Sequence, residues 1–173
     1  MRAVLTWLDR NLEKTVILAA YTTCAGIVAV EVFRRYFFAM QAPWSTTIPA
    51  YMFLWLTWIG AAHGVKIRAH LSFSEVRSAL PRTTQFILMQ IDNLLFLAFA
   101  TIVIVYAADL LKLQLDNGSI VPGTDTIPQW WFYLATPVGW SLLCLRVVQN
   151  MIEDVATFRS GAPLKIRGEM TVE

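Results

Sequence analysis

WSTTIPAYMFLWLTWIGAAHGVKIRAH, residues Trp44–His70, decides how the chain folds. It opens on a hydroxyl-bearing turn, Ser45-Thr46-Thr47, and continues as an apolar run. Tyr51, Trp55 and Trp58 stand at i, i+4 and i+7, which lays three aromatic rings along one stripe of a helix. Thr57, Gly60 and Gly64 mark another face. Two glycines four apart let a second backbone approach closely, and in lipid helix association depends on such van der Waals packing. The run closes on Lys66, Arg68 and His70. A membrane helix that packs on another helix and marks its cytoplasmic end with positive charge needs this pattern, and a soluble domain does not.

The same signature recurs along the chain. Hydrophobic residues make up 57% of the 173 and charged residues 15%, whereas a soluble domain holds about 45–50% apolar residues. Mean hydropathy is +0.54. The excess is gathered into four runs, each long enough for a hydrocarbon core ~30 Å thick. The expected fold is all-α and integral to the membrane, a single four-helix domain over 1–173. Its transmembrane helices fall at about 15–36, 46–66, 84–111 and 127–150. The first run exceeds the 7–15 residues typical of a signal-peptide core and is expected to remain in the mature protein. So small a domain cannot readily enclose a substrate path, so a partner or oligomer is expected.

Charge distribution sets the direction. Ten of the 14 Lys and Arg residues lie in the N-terminal segment, in loop 66–85 and in the tail from 149. Loops 34–47 and 112–126 hold three. The positive-inside rule predicts both termini in the cytoplasm. The balance of +2 is thus a membrane pattern and implies no nucleic-acid partner.

Beyond loop 66–70, Ser72 and Glu75 have capping-box spacing, and Phe73, Val76 and Leu80 share a face. A short amphipathic helix over about 72–80, lying in the interface, is expected. Ser45, Thr46 and Thr47 are expected to cap the second helix, and Pro49 suits its first turn. Pro137 should kink the last helix, with Gly139 easing the bend. A mobile tail is expected over 160–173.

Polar residues inside the runs are few. Glu31, Arg34 and Arg35 share one helix face, so Glu31 can pair with either arginine. Asp92 lies six residues past Phe86, about 9 Å into the apolar layer. Arg146 lies at a comparable depth, and an Asp92–Arg146 pair or shared network is expected. No catalytic or metal constellation appears. The two histidines, His63 and His70, are seven residues apart, about 10.5 Å along a helix and too far to share one iron. Cys24 and Cys144 both fall in apolar runs and form no C-x-x-C. The chain is expected to be no enzyme and to hold no cofactor.

Taken in order, several elements resemble one family. Arg35 follows the first run, and Trp44 with a hydroxyl opens the second. WLTWIGAA stands at 55–62, Lys66 and His70 at the basic exit, and Leu80-Pro81 before the third run. IPQWWFYLATPVG occupies 127–139. The whole chain resembles the small membrane subunit, DctQ-like, of the tripartite ATP-independent periplasmic (TRAP) transporters. One departure stands out: members commonly carry two acidic residues where this chain has Thr46 and Thr47.

The resemblance implies a bacterial inner-membrane scaffold subunit. It would support a large elevator-type transport subunit, which would hold the sodium and the substrate, an organic acid such as a carboxylate or sulfonate. A soluble periplasmic protein would deliver that substrate. Trp55, Trp58, Gly60 and Gly64 would pack on the large subunit or on the chain's own helices. Arg34, Arg35 and Trp44 would lie where the periplasmic protein docks. Lys66, Arg68 and His70 would hold lipid headgroups. The competing class is a stand-alone tetraspan scaffold or a quinone-interacting subunit of a respiratory complex. Co-purification with a carrier-sized partner separates the two.

Overall fold

A computed structural model describes residues 2–68, 77 and 79–164, with side chains placed from Lys14 onward. Every regular element among the described residues is a helix. They are α1 (Arg2–Phe38), α2 (Thr47–Lys66), α3 (Arg82–Asp116), α4 (Trp130–Tyr133) and α5 (Ala135–Ser160). Helices satisfy their own backbone groups, which is what a bilayer demands. Lys14–Phe38, Arg82–Asp116 and Trp130–Ser160 are long and apolar enough to cross a membrane. Helix α2 has 20 residues, about 30 Å at 1.5 Å per residue. It includes Pro49, His63 and Lys66 and is not one of those three. His70 and most of the expected interfacial helix lie outside the described residues, as does the tail from 165.

Helix ends depart from the expected caps. Thr46 makes no side-chain capping bond. The Trp44 carbonyl instead accepts from the amides of Thr47 (3.1 Å) and Ile48 (3.0 Å). The Ser45 hydroxyl turns back to the Ala42 carbonyl at 2.7 Å. Pro49, with no N–H to place, is buried in the first turn. Helix α3 runs one turn past the expected end, to Asp116.

The last helix is interrupted at Leu134, three residues before Pro137. Proline lacks the N–H that would reach the carbonyl of Tyr133, and the ladder resumes with Val138 donating to Leu134 at 3.2 Å. Gly139 also marks a helix contact. A Cβ there would run into Cβ of Trp58, so the glycine is where α2 and α5 come closest.

The helices form an open row in the order α1, α2, α5, α3. Helix α5 is the centre, with α2 on one flank and α3 on the other, and α1 leans mainly on α2. The core sits along that middle seam: Ala62 and Val65 of α2, Ala100 of α3, Trp140, Leu143 and Val147 of α5. Ala62, Ala100 and Ala135 are wholly buried, the small residues that let helices close up in lipid. Trp140 is ringed by Trp58, Phe96 and Phe99 at centroid distances of 5.4, 6.0 and 5.6 Å. Such pairs contribute about 0.5–1.5 kcal/mol each beyond burial. Helix α1 has no buried residue among its described side chains.

Candidate partner-binding surfaces

Helix α2 divides into three faces. Trp58 faces α5, against Gly139 and Trp140. Trp55 and Met52 turn toward Val16 and Ala20 of α1, and with Trp131 and Phe132 they line an open apolar groove of 390 Å³. Tyr51 packs its ring on Phe132 at 5.1 Å and accepts a hydrogen bond from the Gln129 amide. Of the two roles expected for the stripe, Tyr51 and Trp58 take the packing within the chain, while Trp55 lines the open groove. The third face carries Phe53, Thr57, Gly60 and Gly64. Phe53 is 63% exposed, Thr57 is exposed, and a Cβ at either glycine would meet nothing within 4 Å.

At one end of the row the charged cluster behaves as its spacing suggests, with one addition. Arg34 Nη1 donates to Glu31 Oε2 at 3.3 Å. The other carboxylate oxygen, Oε1, accepts from the amide of Ala42 at 2.6 Å, so Glu31 also anchors the loop after α1. Arg35 is exposed and has no polar contact among the described residues. Trp44 is 37% exposed. The sequence grouped loop 112–126 with loop 34–47 but gave it no contact. Residues 119–129 close on themselves, with Val121 donating to Ile127 and Gln129 to Ser119, both at 2.9 Å. Gly123, at φ +83, sets its backbone against Pro43 and Trp44. Pro122-Gly123 is a turn signal in the sequence, but no local pattern says what such a turn will touch.

At the opposite end the arginines take unexpected partners. Arg68 Nη2 reaches Asp154 Oδ1 at 2.7 Å and Glu153 Oε2 at 3.4 Å. Its side chain is only 14% exposed. It is turned into the protein, which corrects its assignment to lipid headgroups. Asn150 Nδ2 donates to the carbonyl of Val65 at 2.9 Å beside it. Lys66 closes α2, half-buried.

The expected direct Asp92–Arg146 pair is not made. Asp92 pairs with Arg77, and Arg146 donates to Gln149 Oε1 at 2.7 Å. The reason is facing: the Asp92 side chain is 57% exposed on α3, whereas Arg146 is buried in α5. Among the described residues no three His, Cys, Asp or Glu groups come together as metal ligands.

Residues 24–157 match the family model for the DctQ component of tripartite ATP-independent periplasmic transporters. The chain belongs to this family. It is 27% identical over 158 residues to the isethionate TRAP transporter permease protein DctMQ of Oleidesulfovibrio alaskensis, covering 88% of this chain and 25% of that protein. It is 27% identical over 128 residues to the C4-dicarboxylate TRAP transporter small permease protein DctQ of Pseudomonas aeruginosa, covering 73% and 61%. A putative TRAP transporter small permease protein of Haemophilus influenzae is 23% identical over 155 residues, covering 90% and 94%. The chain thus spans a quarter of the isethionate relative and about three-fifths of the Pseudomonas one.

As a DctQ-family member the chain is a multi-pass membrane protein of transport and not an enzyme. The matched range starts at Cys24 and takes in Glu31, both loops at that end, the open face of α2 and the Arg68–Asp154 pair. The α1 turns before Cys24 lie outside it.

Proposed function

We propose that this chain is the small, static subunit of a sodium-coupled TRAP transporter in a bacterial inner membrane. Four helices cross, with both termini in the cytoplasm. Loops 39–46 and 119–129 face the periplasm, and Lys66 and Arg68 lie inside. The chain enlarges the scaffold on which a large transport subunit moves. Sodium and substrate bind in that large subunit.

The observation that carries this reading is the uncovered third face of α2. Phe53, Thr57, Gly60 and Gly64 fall together at spacings of four, three and four, opposite the buried Ala62 and Val65 and the half-buried Trp58. A small-residue face gains nothing from lipid tails but permits close approach of another helix. The name DctMQ and the greater length of the isethionate relative support a large neighbour for it. Relatives named for isethionate and for C4-dicarboxylates support a small organic acid, sulfonate or carboxylate, as the transported class. At the periplasmic end, Arg35 and Trp44, with Arg34 held by Glu31, form the docking zone for the soluble binding protein. Lys66 and His70 meet lipid headgroups at the other end.

The test is a double substitution, Gly60→Ile with Gly64→Ile, in the co-expressed complex. Side chains there meet open space within this chain, so its own fold should survive. Recovery of the large subunit with the tagged small one should fall at least about tenfold, the loss of ~1.4 kcal/mol of association. Undiminished recovery would place the interface elsewhere.

A further inference from the structure

We propose that loops 39–46 and 119–129 form one rigid platform, positioned by Glu31 and Gly123, and that the whole platform receives the soluble binding protein. This rests on the docking reading above. It adds the second loop to the surface and gives Glu31 a positioning role.

The two loops lie about 80 residues apart in sequence yet share one seam. Gly123 is the closest point. A Cβ on it would stand 2.5 Å from the carbonyl carbon and oxygen of Pro43 and 2.8 Å from the amide nitrogen of Trp44. Its φ of +83 also suits glycine alone. Val121 is wholly buried, and Ala42 and Ser45 are 9% and 4% exposed. Loops of this kind usually ride on the surface; here each has a buried part, and the two meet at Gly123.

Each loop is also tied to a helix. Glu31 of α1 accepts from the Ala42 amide. The Gln129 amide donates to the Tyr51 hydroxyl of α2. Arg35 is four residues beyond Glu31 and therefore on the same face of α1, beside the first loop. Around the seam stand exposed groups of mixed character: Arg35, Trp44, Ile120 and Asp125.

A preorganised surface lowers the ordering cost of each encounter. That suits a soluble partner that must dock and leave in every cycle. Neither a lipid headgroup nor bulk water needs two loops locked backbone to backbone.

The experiment combines amide exchange on the purified complex with transport in vesicles, titrated with the transporter's own soluble binding protein. Glu31→Ala and Gly123→Val should each speed exchange across residues 40–46. Each should also raise the half-saturating concentration of binding protein about tenfold. Transport at saturation should stay within about twofold, since binding energy alone is lost. Glu31→Gln, which keeps an acceptor for the Ala42 amide, should recover most of the affinity. Ile120→Asp should raise the half-saturating concentration while exchange at 40–46 stays as it was.

If Gly123→Val leaves exchange at 40–46 unchanged, the loops are independent and the proposal falls. It falls equally if only Arg35→Glu weakens docking while the loop variants do not, an outcome that leaves the docking reading standing. If Arg35→Glu and Trp44→Ala also have no effect, the docking reading fails and takes the platform with it.

Discussion

Arg68 holds a left-handed backbone conformation, φ +55, that residues other than glycine rarely adopt. It does so at the point where α2 ends and its guanidinium must turn back to Asp154 of α5. Asp154 is 3% exposed at the side chain, and a lone charge in that position would be costly. Replacing Asp154 by Ala should destabilise the chain by about 1.5–3 kcal/mol, the worth of a charge-assisted hydrogen bond, because Arg68 keeps only its longer contacts to Glu153 and the Asn150 carbonyl. Thermal unfolding in detergent measures this, and a midpoint unchanged from wild type would contradict the pairing. Gly139 offers a second test. Gly139→Ala should push α2 off α5, and Trp58→Ala should not rescue it, because the clash is with Cβ; Trp58→Gly should. The expected Asp92–Arg146 pair shows why such partners are hard to read from sequence. That both lie within apolar runs was legible, but facing was not. Facing depends on which helix becomes the neighbour.

At the scale of elements, the apolar runs located the helices, because in lipid any long apolar segment has to be helical. Their ends were less legible. Helix α5 continues through ten residues past 150 to Ser160, and polar composition concealed this. What holds those turns is nonlocal: Arg82 of α3 donates to the carbonyls of Thr157, Phe158 and Ala162 at 3.2, 3.0 and 3.0 Å. It also lies 5.2 Å over the Phe158 ring. Thr157 and Phe158 belong to the last turn, whose carbonyls have no partner further along the helix, and Ala162 lies just beyond it. Arg82→Ala should therefore fray the last turn of α5, at about 1 kcal/mol for an exposed cluster of bonds. Trypsin cleavage after Arg159 should speed up accordingly, and unaltered cleavage would count against the clamp. The break at Leu134 was half legible: Pro137 announced an interruption, and the missing hydrogen bond displaced it one turn toward the N-terminus.

At the scale of the molecule, the arrangement is a row with α5 at its centre, and no periodicity in any one helix specifies that order. The Gly60 and Gly64 spacing was visible; that their face stays uncovered could be seen only once Trp58 and Trp55 had been placed. Orientation has its own test. A cysteine at Pro122 should react with a membrane-impermeant maleimide from the periplasmic side, and one at Ala162 should not; the reverse pattern would invert the topology. The central claim is that the open face of α2 meets the large transport subunit. A photo-crosslinking residue at Thr57, within the intact co-expressed complex, tests it most directly, with Tyr106 on the exposed side of α3 as the control position. Position 57 should give an adduct that contains the large subunit, and position 106 none. An adduct from 106 with none from 57 would contradict it.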